Sequence, residues 1–329
     1  MRITRRQLIA TATAIGTTVA LTGARAQSAT YPNRPIRLIV PNPAGGGTDT
    51  FARILATSLS EQLGQPVVID NRVGSSGFVA AAALLQAPPD GHTLFMVYSG
   101  ILTVNPAIFK GRIRYDPLKD FVGIAPVAEV PNLLVVNSSL PVKNVAELIA
   151  LAKRQPGQLS YASSGNGVSN HLAMELFKQM AGVSIVHIPY RGDTPAITDL
   201  LGGQVQLGFA NMAGIGPHLK NPKLRVLAAA TSTRVSTLPD VPTVSESGLP
   251  GYDMRLWYGL VAREGTPREI VEKLNNAVRT AQQSPEIKAR FDGMGVTAMI
   301  QTPAEFRMTV TQELQKWSQV VEKGKITTD

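Results

Sequence analysis

The sequence predicts an α/β protein of two domains, each a mostly parallel sheet flanked by helices. Short β-rich apolar runs alternate with stretches of helical spacing, which is typical of parallel sheets with right-handed crossovers. Small-residue loops join strand to helix in both halves of the chain. Two connecting segments, near residues 105–131 and 245–256, indicate that the chain leaves the first domain and later returns to it.

The first strand–loop–helix unit contains the most distinctive loop. Ile36–Val40 is an apolar strand pattern, and Pro41–Asp49 follows it with three consecutive glycines. Such a loop directs backbone N–H groups and the positive end of a helix at one place, which suits a carboxylate or a phosphate. It lacks the P-loop lysine, and Thr50 stands where a dinucleotide fingerprint needs its third glycine. A plain tight turn remains the alternative, and we expect Asp49 to hold the loop by hydrogen bonds.

Two further junctions follow in the first half. The strand pattern Pro66–Asp70 leads to a loop with Ser75 and Ser76, and the strand pattern Thr93–Tyr98 leads directly to Ser99. Ligands bind parallel sheets at the carboxyl ends of the strands, where these loops lie. We therefore expect these three serines near the same site as the glycine-rich loop.

The second half repeats this design with hydroxyl and amide side chains. The strand Leu159–Ala162 runs into the loop Ser163–Asn170, which leads into the helix His171–Ala181. Farther on, Thr194 precedes a proline suited to the first helical position, and Asn211 follows another strand pattern. Anion-binding loops in both halves predict a ligand held in a cleft between the domains.

The first residues have the features of an export signal. Three arginines within the first six residues precede an apolar run, and Ala24–Ala26 has the small-residue spacing of a cleavage site. We expect cleavage near Ala26 and a mature chain that begins at Gln27. The paired arginines fit a twin-arginine signal as well as an ordinary secretory one.

Composition and charge narrow the range of ligands. The 329 residues include 44% hydrophobic side chains and no cysteine, so disulfides and thiolate sites are excluded. Removal of the signal, which carries four arginines and no acid, lowers the formal charge from +9 to +5. No basic block with interleaved aromatics occurs, so nucleic acid is not expected, whereas a mild positive field favours small anions.

Several stretches together resemble one known family. They are Val40–Asp49, Asn71-Arg72, Pro88–Gly91, Tyr161–Gly165, His171-Leu172, Thr198–Val205, Leu238–Thr243 and Trp257–Leu260. Across almost all of the mature chain, the sequence is similar to the Bug-type solute receptors, the periplasmic binding proteins of tripartite tricarboxylate transporters. The resemblance implies a type II-like periplasmic binding fold of the Venus-flytrap kind. It places residues 27–127 and 253–329 in one domain and residues 128–252 in the other.

The resemblance implies a monomeric receptor that closes on a small carboxylate and delivers it to membrane transporter subunits. Binding would rely on backbone N–H groups, hydroxyls and amides, without a catalytic residue, a metal or a cofactor. The candidate ligand-binding residues are Pro43, Ala44, Gly45, Gly46, Gly47, Thr48, Ser75, Ser76, Ser99, Ser163, Ser164, Asn170, Thr194, Asn211 and Trp257. The ligand could be a dicarboxylate, a tricarboxylate or an aromatic carboxylate.

Two alternatives stay open. A receptor without its own transporter would act as a sensor, and the sequence does not separate this from transport. A hydrolase of carboxylic acid derivatives is the rival class, although no Gly-x-Ser-x-Gly elbow exists. One departure from the family pattern bears on the ligand, because Ala210 stands where many members have an aspartate. That loss argues against a ligand with an ammonium group.

Overall fold

The protein contains two β-sheets with helices packed around them. The computed structural model describes residues 31–324 and residue 326. The predicted export signal, including the cleavage site near Ala26, lies outside these residues. Within them, no helix is both long and apolar enough to cross a membrane.

Up to residue 283, most strands and helices follow the order that the sequence patterns predict, whereas the elements of residues 285–324 were not predicted. The strands are β1 Ile36–Val40, β2 Val67–Asn71, β3 Thr93–Tyr98, β4 Phe121–Val130, β5 Asn132–Asn137, β6 Ser160–Ser163, β7 Val186–Pro189, β8 Leu207–Asn211, β9 Leu224–Ala229, β10 Leu256–Arg263 and β11 Thr297–Ala298. The helices are α1 Gly47–Leu63, α2 Phe78–Leu85, α3 Ser99–Thr103, α4 Asn105–Ile108, α5 Val145–Arg154, α6 Ser169–Ala181, α7 Asp193–Gly202, α8 Met212–Ile215, α9 Arg268–Gln283, α10 Pro285–Met294 and α11 Pro303–Gly324.

The α/β class is confirmed, but both sheets are mixed and not mostly parallel as predicted, with four parallel and five antiparallel strand pairs among the described residues. The first sheet has the order β11-β4-β10-β3-β1-β2, and the second has the order β7-β6-β8-β5-β9. Parallel pairing joins β1 to β2 and β3, and β6 to β7 and β8. The pairs of β10 with β3 and β4, and of β5 with β8 and β9, are antiparallel. Each of these antiparallel pairs involves β10 or β5, two of the strands that border the crossings between the sheets.

The segment 105–131 is more regular than its composition predicts. We expected an irregular passage rich in proline and glycine, but it holds α4 and the ten-residue strand β4. Pro126 hides the strand pattern, because proline removes a donor and is found mainly at edges and bulges. The register between β10 and β4 shifts between Tyr258 and Gly259, and Gly259 is the partner of Pro126. This irregularity accommodates the proline inside the sheet.

The chain crosses between the sheets at two adjacent places. It leaves the first sheet at Val130 and enters the second at Asn132, and it returns ahead of Leu256. Leu256 pairs with Val130 in the first sheet, so the two crossing strands lie side by side. The domain limits at residues 127/128 and 252/253 stay a prediction.

Helix α11 connects the regions around both sheets. It contacts β4 and α3 on one side and α6 on the other. Phe306 of α11 is buried in a cluster with Trp257, whereas Trp317 of the same helix is buried with Phe177 of α6. The helix thus contributes to the cores of both sheets and lies beside the crossings.

Candidate functional site

A cavity of about 670 Å³ is lined by loops associated with both sheets. Its polar lining residues lie at the starts of helices and at the ends of strands, where ligands bind α/β sheets. The first sheet contributes Asn42, Gly47, Thr48, Ser76, Ser99 and Tyr258, and the second contributes Ser164, Asn166, Ser169, Asp193 and Asn211. An apolar wall is formed by Tyr98, Val104, Ile108, Phe109, Leu172 and Trp317.

Hydrogen bonds to the carboxylate of Asp49 stabilise the glycine-rich loop. Its Oδ2 accepts from the backbone N–H of Gly45 at 2.9 Å, and its Oδ1 accepts from the amide of Asn71 at 2.9 Å. Arg53 Nε donates to Oδ2 at 2.7 Å. Burial would raise the pKa of Asp49, but these hydrogen bonds lower it to about 2. The predicted structural role of Asp49 is confirmed, because its charge is engaged by the loop and by arginine.

The start of α1 packs against a tyrosine that the sequence analysis did not select. A Cβ on Gly47 would lie 2.6 Å from Tyr258 Oη, so only glycine fits there without a shift. Tyr258 lines the cavity, and its ring stacks on Phe51 at a centroid distance of 4.6 Å. Burial, Tyr98 and Asp193 raise the pKa of Tyr258. The phenol therefore stays protonated at neutral pH and can donate to a ligand.

Trp257, a predicted contact, does not reach the cavity. Adjacent residues of a strand point to opposite faces, and Tyr258 occupies the cavity face. Trp257 is fully buried on the other side, where its Nε1 donates to Glu313 Oε2 at 2.9 Å. The indole at the cavity is instead that of Trp317. The choice between Trp257 and Tyr258 depends on which face of β10 meets the cleft, and the sequence pattern alone does not reveal it.

The hydroxyls of Ser163 and Ser164 are engaged within the protein. Ser163 is fully buried, with Oγ 2.6 Å from His187 Nε2 and 3.0 Å from the carbonyl oxygen of Gly165. Ser164 Oγ donates to Asp193 Oδ1. Asn170 supports the same loop, because its Oδ1 accepts from the backbone N–H of Ser164 at 3.1 Å. The side chains of Ser163, Ser164 and Asn170 therefore mainly stabilise the loop Ser163–Asn170, which we call the second loop.

Asp193 is the centre of this polar network. Its Oδ1 accepts from Ser164 and from Asn170 Nδ2, and its Oδ2 accepts from Asn211 Nδ2 at 2.8 Å. It also lines the cavity at the first turn of α7. A negative charge is favourable at a helix N-terminus. This position and the three donors stabilise the carboxylate of Asp193, and the donors offset part of its repulsion of an anionic ligand. Sequence reasoning selected the neighbouring Thr194 instead.

The stacked rings of Tyr161, His187 and His171 pack against the second loop. His171 Nδ1 accepts from the backbone N–H of Gly167 at 2.9 Å, and its ring stacks on His187 at 4.1 Å. Tyr161 stacks on His187 and donates to Glu175 at 2.7 Å. Burial and the neighbouring His187 lower the pKa of His171 to about 4. A neutral His171 is required, because a protonated Nδ1 could not accept from Gly167.

Five hydroxyls remain available at the cavity. Among the described residues, those of Thr48, Ser76, Ser99, Ser169 and Tyr258 make no hydrogen bond, although all five residues line the cavity. Thr48 and Ser169 lie in the first turns of α1 and α6, where the first backbone N–H groups have no partner within the helix. These donors converge on one space and can bind a carboxylate. Ser169 was not among the predicted residues, although it lies next to Asn170.

The structure brings some predicted residues to the cavity and places others elsewhere. Those that line it are Gly47, Thr48, Ser76, Ser99, Ser164 and Asn211. Those that do not are Pro43, Ala44, Gly45, Gly46, Ser163, Asn170, Thr194 and Trp257. The backbone of Ser75 forms a short 3-10 turn, but its side chain lies outside the described part of the chain. Thr194 is exposed, because the preceding Asp193 takes the inward position in the first turn of α7.

Comparison with known proteins places the chain among solute receptors. The family model described as "Tripartite tricarboxylate transporter family receptor" matches residues 51–326. The chain belongs to this family. Protein BugT of Bordetella pertussis is 38% identical to this receptor over 292 residues, which cover 89% of this chain and 90% of BugT.

Two solved structures of related proteins contain carboxylates. Rpa4515 of R. palustris with adipate is 38% identical and has a TM-score of 0.77, covering 90% of this receptor and 99% of that chain. MatC from Rhodopseudomonas palustris with bound malate is 33% identical and has a TM-score of 0.73, covering 88% of this receptor and 100% of that chain. The two-sheet architecture of this receptor is therefore that of the Bug-type periplasmic binding proteins.

Proposed function

We propose that this protein is an extracytoplasmic receptor that binds a small carboxylate in the cavity between its two sheets. The observation that carries the proposal is the convergence of the first turns of α1 and α6, with the hydroxyls of Thr48, Ser99 and Ser169, on one cavity. Charge-assisted hydrogen bonds from such donors bind a carboxylate without the desolvation of a buried cation. Family membership supports the same class of ligand.

The cavity also contains an apolar wall, which fits the carbon skeleton of an organic acid. Val104, Ile108, Leu172 and Trp317 line the same cavity as the polar loops. Relatives solved with adipate and malate support an aliphatic acid of about four to six carbons. On this proposal, the ligand places one carboxylate at the helix starts and lays its chain along the apolar wall.

In the cell, the receptor is exported to the periplasm, works as a monomer and presents its ligand to a membrane transporter. Closure would bring residues 128–252 toward residues 27–127 and 253–329 by rotation at the two crossings, as in other two-domain binding proteins. The adjacent pairing of Leu256 with Val130 supports a hinge at that place. A sensor without its own transporter would use the same binding and closure.

We propose that the protein is not an enzyme. Ser163 and His187 lie within hydrogen-bond distance, as a nucleophile and a base would. However, Ser163 is fully buried and does not line the cavity, so a bound acid derivative would not reach its hydroxyl. Turnover of a carboxylic ester by the purified protein, lost in Ser163→Ala, would contradict the proposal.

The direct test is a ligand panel on the mature chain. Residues 27–329 would be purified, refolded to remove carried-over ligand, and screened by thermal shift against aliphatic mono-, di- and tricarboxylates, aromatic carboxylates and amino acids. A ligand at about 100 times its Kd adds roughly 2.7 kcal/mol to the free energy of unfolding, which shifts Tm by several degrees. Shifts confined to carboxylates support the receptor. A response to amino acids alone, or to none of the carboxylates, would contradict it.

A further inference from the structure

We propose that Arg112 forms a second anion-binding subsite at the rim of the cavity, so that the preferred ligand is a dianion such as a dicarboxylate. The inference rests on the proposed function and names a residue that determines specificity within it. The first carboxylate binds at the starts of α1 and α6, and the second binds the guanidinium of Arg112.

The charges at the cavity leave Arg112 as the available cation. The charged side chains that line it are Arg112, Arg255 and Asp193. Arg255 forms an ion pair with Asp253 at 2.8 Å, and Asp193 is occupied by Ser164, Asn170 and Asn211. Within residues 31–324, Arg112 forms no ion pair and no side-chain hydrogen bond. Its five N–H donors are therefore free to bind an anion.

Local packing orients this arginine. Its guanidinium carbon lies 5.7 Å from the centroid of the Phe109 ring, and Phe109 packs edge-on against Phe78 at 4.9 Å. The backbone N–H of Arg112 donates to the carbonyl oxygen of Phe109 at 2.8 Å, which closes the turn that carries both residues. The contact with the Phe109 ring positions the guanidinium at this turn, and its N–H groups, which have no partner within residues 31–324, can bind a bidentate carboxylate.

The turn that carries Arg112 lies against the second binding loop. Ile108 Cδ1 lies 3.4 Å from the place where a Cβ on Gly167 would stand, and both residues line the cavity. The arginine therefore shares the cavity with the helix starts, yet it is exposed. A ligand with a single carboxylate would leave Arg112 to solvent, whereas a second carboxylate at the other end of the ligand can reach it.

The test compares dicarboxylates of four to eight carbons with monocarboxylates of the same chain lengths by calorimetric titration. We would use the wild type, Arg112→Gln, Arg112→Lys and the matched control Arg114→Gln, an exposed arginine two residues away that does not line the cavity. Arg112→Gln should weaken the best dicarboxylate about 10- to 100-fold, the scale of a charged hydrogen bond. Binding of monocarboxylates should stay within about threefold. Arg112→Lys should recover part of the loss, because lysine keeps the positive charge but lacks the paired N–H donors that bind a carboxylate in a bidentate manner.

The two ligand series distinguish a missing subsite at Arg112 from a protein that is not a carboxylate receptor. Equal losses for mono- and dicarboxylates in Arg112→Gln would show a general effect on the cavity and overturn the subsite. Unchanged dicarboxylate affinity, or the same loss in Arg114→Gln, would also overturn it. Wild-type binding of monocarboxylates tests the helix-start site alone. If the wild type binds neither series, the proposed function fails and the subsite fails with it.

Discussion

Hydroxyl side chains at this cavity differ by the hydrogen bonds they already make. Ser163 and Ser164 resemble ligand contacts in the sequence, but their oxygens bind His187, Gly165 and Asp193. Thr48 and Ser169 line the same space without such partners among the described residues. A hydroxyl that is already engaged has to give up a bond before it can donate to a ligand, so the unengaged ones contribute more to affinity.

The first prediction separates these roles. Thr48→Ala and Ser169→Ala should each weaken carboxylate binding by about 1–3 kcal/mol, the scale for a hydrogen bond to a charged group. Thr194→Ala is the matched control, because Thr194 is exposed and outside the cavity lining, and its affinity should be unchanged. Titration calorimetry measures all three. A loss confined to Thr194→Ala would place the ligand elsewhere.

The second prediction concerns the pH dependence of stability through His171. Its pKa in the folded protein, about 4, lies below the ordinary value of 6.5, because the ring is buried beside His187. The unfolded chain therefore binds the proton first as pH falls. The contribution of His171 is complete above about pH 6.5 and is lost toward pH 4, with a loss of up to about 3 kcal/mol.

Urea unfolding between pH 7.5 and pH 4 would measure this loss. His171→Gln cannot titrate but can still accept from Gly167, so its stability should fall less with acid than that of the wild type. His218→Gln is the control, since His218 lies on another segment away from the stacked rings. Identical pH slopes for the wild type and His171→Gln would contradict the expected role.

At the scale of elements, α11 carries a buried acid beside the crossing strand β10. Glu313 Oε2 accepts from Trp257 Nε1, while Lys316 and Arg255 lie nearby. Burial raises the pKa of Glu313 to about 7 in spite of that hydrogen bond and those cations. Helix α11 thus contacts β10 through a carboxyl group whose charged form is unfavourable in this buried position.

The third prediction follows from this acid. Because the pKa of Glu313 is higher in the folded protein than its ordinary value of 4.5, its contribution is complete below about pH 4.5 and is lost as pH rises through 7. Glu313→Gln keeps an acceptor for Trp257 and removes the charge. It should stabilise the protein by about 1–3 kcal/mol at pH 8 and by much less at pH 5.

Chemical unfolding at both pH values measures the effect. Glu322→Gln, an exposed position on the same helix, should have little effect at either pH. Destabilisation of Glu313→Gln at pH 8 would mean that the carboxylate forms a net favourable pair with Lys316 or Arg255.

For the whole molecule, the two sheets are connected by two adjacent crossings, and helix α11 packs against the regions of both. The cavity is lined by loops of both sheets, so a ligand bound there would contact both. A ligand shifts a conformational equilibrium only by its difference in affinity between the states. Contacts to both sides, which only the closed form can make, provide that difference.

The fourth prediction tests closure. The chain has no cysteine, so Lys119→Cys and Lys143→Cys introduce a unique pair of labelling sites. Both positions are exposed, Lys119 ahead of β4 and Lys143 ahead of α5. Spin-label distances should shorten and narrow when a bound carboxylate is added, but not with sodium chloride at the same ionic strength. An unchanged distribution with saturating ligand would mean that the cleft is rigid.

The order and type of most elements up to residue 283 could be predicted from the amino-acid sequence, because alternation and helical spacing are local properties of the chain. The strands Ile36–Val40 and Thr93–Tyr98 were predicted at their observed bounds. The glycine-rich loop and the role of Asp49 were also predicted, since that loop is closed mainly by residues close in sequence. Strand β4 was missed, because the irregularity that accommodates Pro126 comes from pairing with the distant strand β10.

The side chains that face the cavity could not be predicted in the same way, because they depend on how the elements pack. The choices of Tyr258 over Trp257, and of Asp193 over Thr194, depend on the face that an element presents after packing. Arg112 stands out only when Arg255 is seen to pair with Asp253 and Asp193 with its three donors. These outcomes depend on contacts between segments far apart in the chain. Local periodicity carries no information about such contacts, so the fold could be predicted more fully than the site.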